Sequence, residues 1–208
     1  MAELNNWLVP LVSIFFVVDP LAAVPAFLTM TATDPLPARR SMAMRASIAS
    51  SVILVVFAVA GGLIFRLFGV TLPAFRIAGG VVLGLSALEM LRAERPSRET
   101  KEEIREGVDK VDISITPMAI PLLAGPGAIS TVMVLTHERE SWLASAPVFA
   151  AIVVTGLATY VLLLFSAKLQ RALGTTGIHV LSRIMGLVLA AIAVQFILDG
   201  LRGGGYLG

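Results

Sequence analysis

The stretch Trp7-Leu8-Val9-Pro10-Leu11-Val12-Ser13-Ile14-Phe15-Phe16-Val17-Val18-Asp19-Pro20-Leu21-Ala22-Ala23-Val24-Pro25-Ala26-Phe27-Leu28-Thr29-Met30 carries a single charge, Asp19. A helix that crosses a bilayer needs about 20 mostly apolar residues, and this run meets the requirement. A secretory leader is the competing reading. Met1–Asn6 has no Lys or Arg, however, and the run is broken by Asp19-Pro20 where a cleavage site would need small residues. The segment is therefore expected to be a retained helix.

The rest of the chain repeats this composition. Ile48–Phe68, Phe75–Leu91, Ile113–Leu135, Ala144–Ala167 and Val180–Leu198 are expected to be further spans, six in all with Trp7–Met30. Of the 208 residues 57% are hydrophobic and only 14% charged, well below the charge share of a soluble domain. A globular protein with buried helices would need polar helical faces to cover its core, and these segments offer none. The formal net charge of +2 and the lack of a recognition motif argue against nucleic acid. The chain has no cysteine, and His137 and His179 show no ligand spacing, so no metal site and no cofactor are expected.

Basic residues set the orientation. With six spans one side collects Arg39, Arg40, Arg45, Arg92, Arg95, Arg98, Lys101, Arg105, Lys110, Lys168, Arg171 and Arg183, and the other only Arg66, Arg76, Arg139 and Arg202. The positive-inside rule puts the first set in the cytoplasm and both termini outside, for a multi-pass protein of the cell inner (plasma) membrane. The polar stretch Glu94–Asp112 mixes acids and bases and has Ile104 and Val108 at helical spacing. It is read as a solvated cytoplasmic loop, with docking of a partner as the alternative.

Two pairs of segments match across the chain. Pro20-Leu21-Ala22-Ala23-Val24-Pro25 resembles Pro121-Leu122-Leu123-Ala124-Gly125-Pro126, and Arg76-Ile77-Ala78-Gly79 resembles Arg183-Ile184-Met185-Gly186, in the same order and on corresponding helices. The expected organisation is a first three-helix repeat over 1–93, the charged loop 94–112 and a second repeat over 113–208. An odd number of crossings per half inverts the second half, the architecture of many secondary transporters. The fold class is thus all-α integral membrane, six transmembrane helices in two inverted three-helix repeats.

Helices 1 and 4 are expected to break near the bilayer centre. Proline denies a helix one hydrogen bond, and in lipid such breaks persist only against protein or a wet cavity. Asp19 before Pro20 suits an N-cap followed by a first helical residue. Thr116-Pro117 has the same form near the start of helix 4, and the break itself is expected at Gly125-Pro126-Gly127, with Ser130 and Thr131 able to bond freed backbone groups. The two breaks together would leave amides able to hold a carboxylate. Asp19, a carboxylate within a span, is a functional candidate by default: for a substrate ammonium, a coupling proton or Na⁺, with a structural cap as the bland alternative. Gln195 is a candidate for bonding across helices or to substrate. Glu89, near a span end, reads as interfacial and is the other ion-coupling candidate. Gly79, Gly80, Gly84 and Gly186 are expected to allow close helix packing.

The stretch from Asp112 through Thr116-Pro117, Pro121 and Gly125-Pro126-Gly127 to Thr131 resembles the signature of the MarC family, as does Arg183–Gly200. The early Asp19-Pro20 with Pro25 is similar too, in a family where Asn often stands at the Asp position. The resemblance spans essentially the whole chain. It implies six-span inner-membrane proteins related to LysE-type exporters, one branch described as cation-driven carriers of glycine and alanine. On that footing the substrate-binding candidates are Asp19, Pro20, Ala23, Pro25, Thr116, Pro121, Gly125, Pro126, Gly127, Ser130 and Gln195, with Na⁺ or H⁺ as the coupling ion. The small residues Ala22, Ala23, Ala124 and Gly125 leave room for only a small side chain. The partners are the lipid bilayer and a small-molecule substrate, a homo-oligomer being left open. Export of drugs or other metabolites predicts an aromatic-rich cavity, against an aromatic content of 7%. A non-transporting scaffold docking through Glu94–Asp112 is the alternative from another class. An enzyme is not expected, for want of a catalytic constellation.

Overall fold

The computed structural model of the chain describes residues 2–31, 34–92, 114–137 and 143–206. The loop Glu94–Asp112 and the side chains of Glu89, Thr116 and Pro121 lie outside the described residues. Every regular element among the described residues is helical: α1 (Ala2–Val18), α2 (Pro20–Met30), α3 (Leu36–Phe68), α4 (Leu72–Arg92), α5 (Ser114–Leu123), α6 (Pro126–His137), α7 (Ala146–Leu164) and α8 (Ser166–Gly203).

The helices turn their large side chains outward. Along α3, Met44, Ile48, Val52, Val56, Val59, Leu63 and Leu67 form an exposed stripe, while Ala43, Ala46, Ser47, Ser50, Ala58 and Gly61 face the interior. Likewise α7 exposes Val153, Val154, Leu157 and Val161 and buries Ala151 and Thr155. In water this pattern would be costly, because apolar area would face solvent. In lipid it is favourable: large residues meet acyl chains, and small ones let the backbones approach. Several buried hydroxyls bond within their own helices, Ser47 Oγ donating to the Ala43 carbonyl at 2.9 Å and Thr159 Oγ1 to that of Thr155 at 2.8 Å. The chain is an all-α, multi-pass membrane protein.

Among the described residues four helical stretches are long and apolar enough to cross a membrane: Leu4–Leu28, Leu36–Phe68, Ala146–Leu164 and Arg183–Gly203. The expected third span falls in α4, whose apolar part, Leu72–Leu88, is shorter. The expected fourth is divided between α5 and α6. Two boundaries differ from expectation. The second span was read from Ile48, but its helix begins at Leu36, because the polar turns with Arg39, Arg40 and Arg45 are helical as well. The last span is expected from Val180, but its helix α8 begins at Ser166 and takes in Lys168–Gly174, interrupted at Gly174, whose φ of 65° and ψ of 173° suit glycine alone.

Two helix pairings organise the bundle. The first joins α4 to α8 through glycines. A Cβ at Gly80 would stand 2.7 Å from the Ala193 carbonyl oxygen, and one at Gly186 would stand 2.8 Å from Met90 Cβ. Leu83, Ala87, Leu189 and Ala193 form the core of this pair. The expected packing role of Gly80 and Gly186 is therefore met. The second grouping, of α1, α2, α3, α5, α6 and α7, surrounds the larger core of Ile14, Val24, Phe27, Leu54, Met118, Leu123, Val132 and Ile152. The contact pattern has a regularity. If α1–α2 is exchanged with α5–α6, α3 with α7 and α4 with α8, the contact of α1 with α7 becomes that of α5 with α3. In the same way α3 with α6 becomes α7 with α2, and α4 with α6 becomes α8 with α2.

Candidate functional site: two interrupted helices

Asp19 interrupts the first helix. Its N–H still donates to the Phe15 carbonyl at 3.0 Å, closing α1. Its φ of 47° then turns the chain through the left-handed region, where Asp and Asn are the tolerated side-chain-bearing residues. Its Oδ1 accepts from the Ala22 N–H at 3.2 Å and so caps α2, which opens on Pro20. One residue thus ends one helix and starts the next. The other oxygen, Oδ2, is buried and has no hydrogen-bond partner among the described residues. With only 8% of the residue exposed, that oxygen is desolvated without compensation. The sequence offered two readings of Asp19, a cap or a ligand; Oδ1 caps the helix, and Oδ2 is left over.

The second interruption lies at Ala124–Gly125, between α5 and α6. Pro117 and Pro121, four residues apart, each lack the donor that an α-ladder needs. The segment is wound instead as a π-helix, closed by the Ala124 N–H on the Ala119 carbonyl at 2.8 Å, a five-residue step. π-Helical turns are rare and recur at functional positions. Pro126 then opens α6, whose ladder starts with the Ile129 N–H on the Gly125 carbonyl at 3.0 Å. Thr131 Oγ1 donates to the Gly127 carbonyl at 2.9 Å, a bond within α6 and not one to a group freed by the break.

The two breaks adjoin. α1 packs on α6 and α2 on α5. A Cβ added at Gly127 would collide with Leu83 and lie 3.6 Å from Val17 Cγ1, two residues before Asp19. Ser130, on the next turn of α6, is buried against Gly79, where a Cβ would stand 2.8 Å from the Ser130 Cβ. Ala23, Ala124 and Gly127 are buried, and Pro20 with them, whereas Gly125 and Pro25 are half-buried and Pro126 is exposed. Pro25 sits inside α2, where it cannot donate to the Leu21 carbonyl. The Gly127 turn of α6 therefore lies beside the end of α1 that Asp19 closes, and Ser130 stands one turn further along α6 against α4. The backbones of Thr116 and Pro121 fall in the π-wound α5.

Gln195 is the exception among the candidates whose side chains are described. It lies on an exposed flank of α8, and its Nε2 donates to Asp199 Oδ1 at 2.8 Å, one turn along the same helix. The expected bond across helices or to substrate gives way to this local pair, which also draws Arg202 to within 4.0 Å of Asp199. Leu83 and Gly79 of α4, which press on α6, were not singled out as site neighbours. The repeat of Arg76–Gly79 in Arg183–Gly186 was the signal that α4 belongs to the shared centre.

Chemically, the crossing brings together ends of opposite polarity. α1 and α5 present carbonyl ends, where a helix carries partial negative charge; α2 and α6 present amide ends of partial positive charge. The first turn of α6 has no intrahelical partner for the Gly127 and Ala128 N–H groups. An all-α membrane bundle with two adjoining helix breaks and a buried carboxylate belongs to the class of multi-pass integral membrane proteins with discontinuous helices. More particularly, the chain belongs to the MarC family of integral membrane proteins, whose model matches residues 4–204. This is a family of membrane proteins and not of enzymes. The chain is 38% identical over 201 residues to a UPF0056 membrane protein of Methanocaldococcus jannaschii, covering 97% of this chain and 98% of that one. It is 38% identical over 194 residues to the UPF0056 membrane protein YvbG of Bacillus subtilis, covering 92% of each. With YhcE of Escherichia coli, another UPF0056 membrane protein, identity is 34% over 193 residues, 92% of this chain and 90% of that one. No solved structure matches.

Proposed function

We propose that the protein is a secondary transporter of small neutral amino acids of the glycine and alanine kind. The observation that carries this reading is the buried, unpartnered Asp19 Oδ2 beside two helix breaks. An amino acid is a zwitterion, and the crossing offers something to each of its charges. Asp19 Oδ2 and the carbonyl ends of α1 and α5 suit an ammonium; the amide ends of α2 and α6, including Gly127, suit a carboxylate. Ala23, Ala124 and Gly125 limit the side chain to a hydrogen or a methyl group. In this reading transport exposes the region alternately to each side.

In this reading the chain has six spans in two inverted repeats, 1–93 and 113–208, joined by the loop 94–112. The exchange regularity of the helix contacts supports it. So does the length of α4, Leu72–Arg92, about 31 Å at 1.5 Å per residue and enough for a hydrocarbon layer. Both termini face outward, and a cation gradient supplies the driving force, with Asp19 as its candidate site; Glu89 stays an interfacial alternative. Asn in place of Asp would still cap α2, so the role assigned to Asp19 is ligand binding before proton carriage.

Counterflow tests the reading. Proteoliposomes preloaded with unlabelled glycine or alanine are expected to accumulate the labelled compound above protein-free liposomes. A folded protein that gives no accumulation with either compound overturns the amino-acid assignment.

A further inference from the structure

A second polar concavity lies away from the breaks, at the far end of α2. A cavity of about 320 Å³ opens between the start of α3 and the turn from α7 into α8, lined by Arg39, Arg40, Lys168 and Arg171. Its lining also includes Phe27, which is buried, and Leu36 and Phe165, which are 68% and 46% exposed. Among the described residues no carboxylate lines it, and none of the four cations forms an ion pair with a described residue. Their polar bonding is slight: Arg171 Nε donates to the Ala167 carbonyl at 3.2 Å, and Lys168 Nζ sits 5.1 Å above the Phe165 ring.

Four cations drawn together from two distant parts of the chain repel one another unless an anion joins them. Their level along the helices says which anion. Arg39 and Arg40 stand just before the lipid-facing stripe of α3 begins at Met44, and Lys168 follows directly after α7 ends at Leu164. That is the depth of the headgroups. The rim of Leu36 and Phe165 is apolar and exposed, as acyl chains require. The basic bias places this end in the cytoplasm, where basic pockets between helices suit acidic lipid headgroups.

We infer that this cavity binds the headgroup of an anionic phospholipid, with the arginine guanidinium groups on the phosphodiester and Lys168 and Arg171 on a second anionic or hydroxyl-bearing group. Guanidinium forks match phosphate oxygens in pairs. A zwitterionic lipid fits poorly, because the described residues of the lining include no carboxylate for its ammonium. Arg66 on α3 and Arg202 on α8, neither of which lines this cavity, serve as the control. The inference rests on the membrane fold alone and stands whether or not the protein carries amino acids.

Native mass spectrometry of the full-length protein in detergent tests it, with phosphatidylglycerol and phosphatidylcholine as probes and inorganic phosphate as competitor. The wild-type chain is expected to prefer phosphatidylglycerol by at least about tenfold, about 1.4 kcal/mol or more. The quadruple variant Arg39→Gln, Arg40→Gln, Lys168→Gln, Arg171→Gln loses the preference, and the control Arg66→Gln, Arg202→Gln keeps it. Should the quadruple variant not fold, the pairs Arg39→Gln, Arg40→Gln and Lys168→Gln, Arg171→Gln are read separately, each with a severalfold loss. Equal binding of the two lipids, a preference that survives removal of the cations, or displacement of the lipid by millimolar inorganic phosphate overturns the assignment, the last by making this a free-phosphate site.

Discussion

Replacing Asp19 by Asn separates its two oxygens. Asn keeps a carbonyl oxygen for the Ala22 N–H and tolerates the φ of 47°, so the cap and the turn survive. What it removes is the charge at the unpartnered Oδ2. A hydrogen bond to a charged group contributes about 1.5–3 kcal/mol, which for the substrate ammonium corresponds to a weakening of about ten- to a hundredfold. Asp19→Ala acts on the fold as well. Losing the cap costs about 1 kcal/mol and the left-handed turn about 1–2 kcal/mol more, while relief of the buried oxygen offsets about 1–3 kcal/mol. Both variants should therefore unfold near the wild-type temperature in detergent. Counterflow at graded glycine concentrations should give a half-saturation raised about ten- to a hundredfold for Asn and further for Ala. An Asn variant with wild-type half-saturation refutes the ammonium contact. An Asn variant that unfolds far below wild type refutes the claim that Oδ2 has no structural partner.

Other substitutions probe other parts. Ala23→Leu and Gly125→Leu should abolish glycine counterflow while size-exclusion profiles stay monodisperse; undiminished transport in both would place the substrate elsewhere. Gly80→Ala forces a Cβ to within 2.7 Å of the Ala193 carbonyl and should cost about 1–3 kcal/mol in thermal unfolding. Gly62→Ala meets nothing within 4 Å and should gain about 0.5–1 kcal/mol in the same assay. Thr155 Oγ1 is buried without a partner among the described residues, so Thr155→Val should hold or raise the unfolding temperature, whereas a serious loss would reveal a hydrogen bond across helices.

Most of the fold was legible because lipid demands long apolar runs and because proline beside Asp or Gly marks a break. Asp19-Pro20 and Gly125-Pro126 sit where the helices part. What hydropathy could not give was where helices end in water, since Leu36–Ser47 is helical yet polar on one side, and Lys168–Gly174 hides a helix among charges. Gln195 is read from its apolar surroundings as a cross-helix or substrate donor, and its side chain bonds Asp199 at the i+4 spacing that favours a pair along one helix. The π-winding of α5 follows from Pro117 and Pro121 together, a consequence visible only once the five-residue bond at Ala124 is seen. The basic cavity joins residues far apart in the chain, Arg39 and Arg171 among them, and so has no local signature.

The central claim is that one region reads both charges of a zwitterion. Inhibition of labelled-alanine counterflow by unlabelled glycine, acetate and methylamine tests it most directly, because acetate lacks the ammonium and methylamine the carboxylate. Glycine should compete, and each singly charged fragment should be weaker by about a hundredfold, as expected when buried polar groups are left unpaired. Acetate or methylamine competing as well as glycine would contradict the two-charge site built from Asp19 and the breaks.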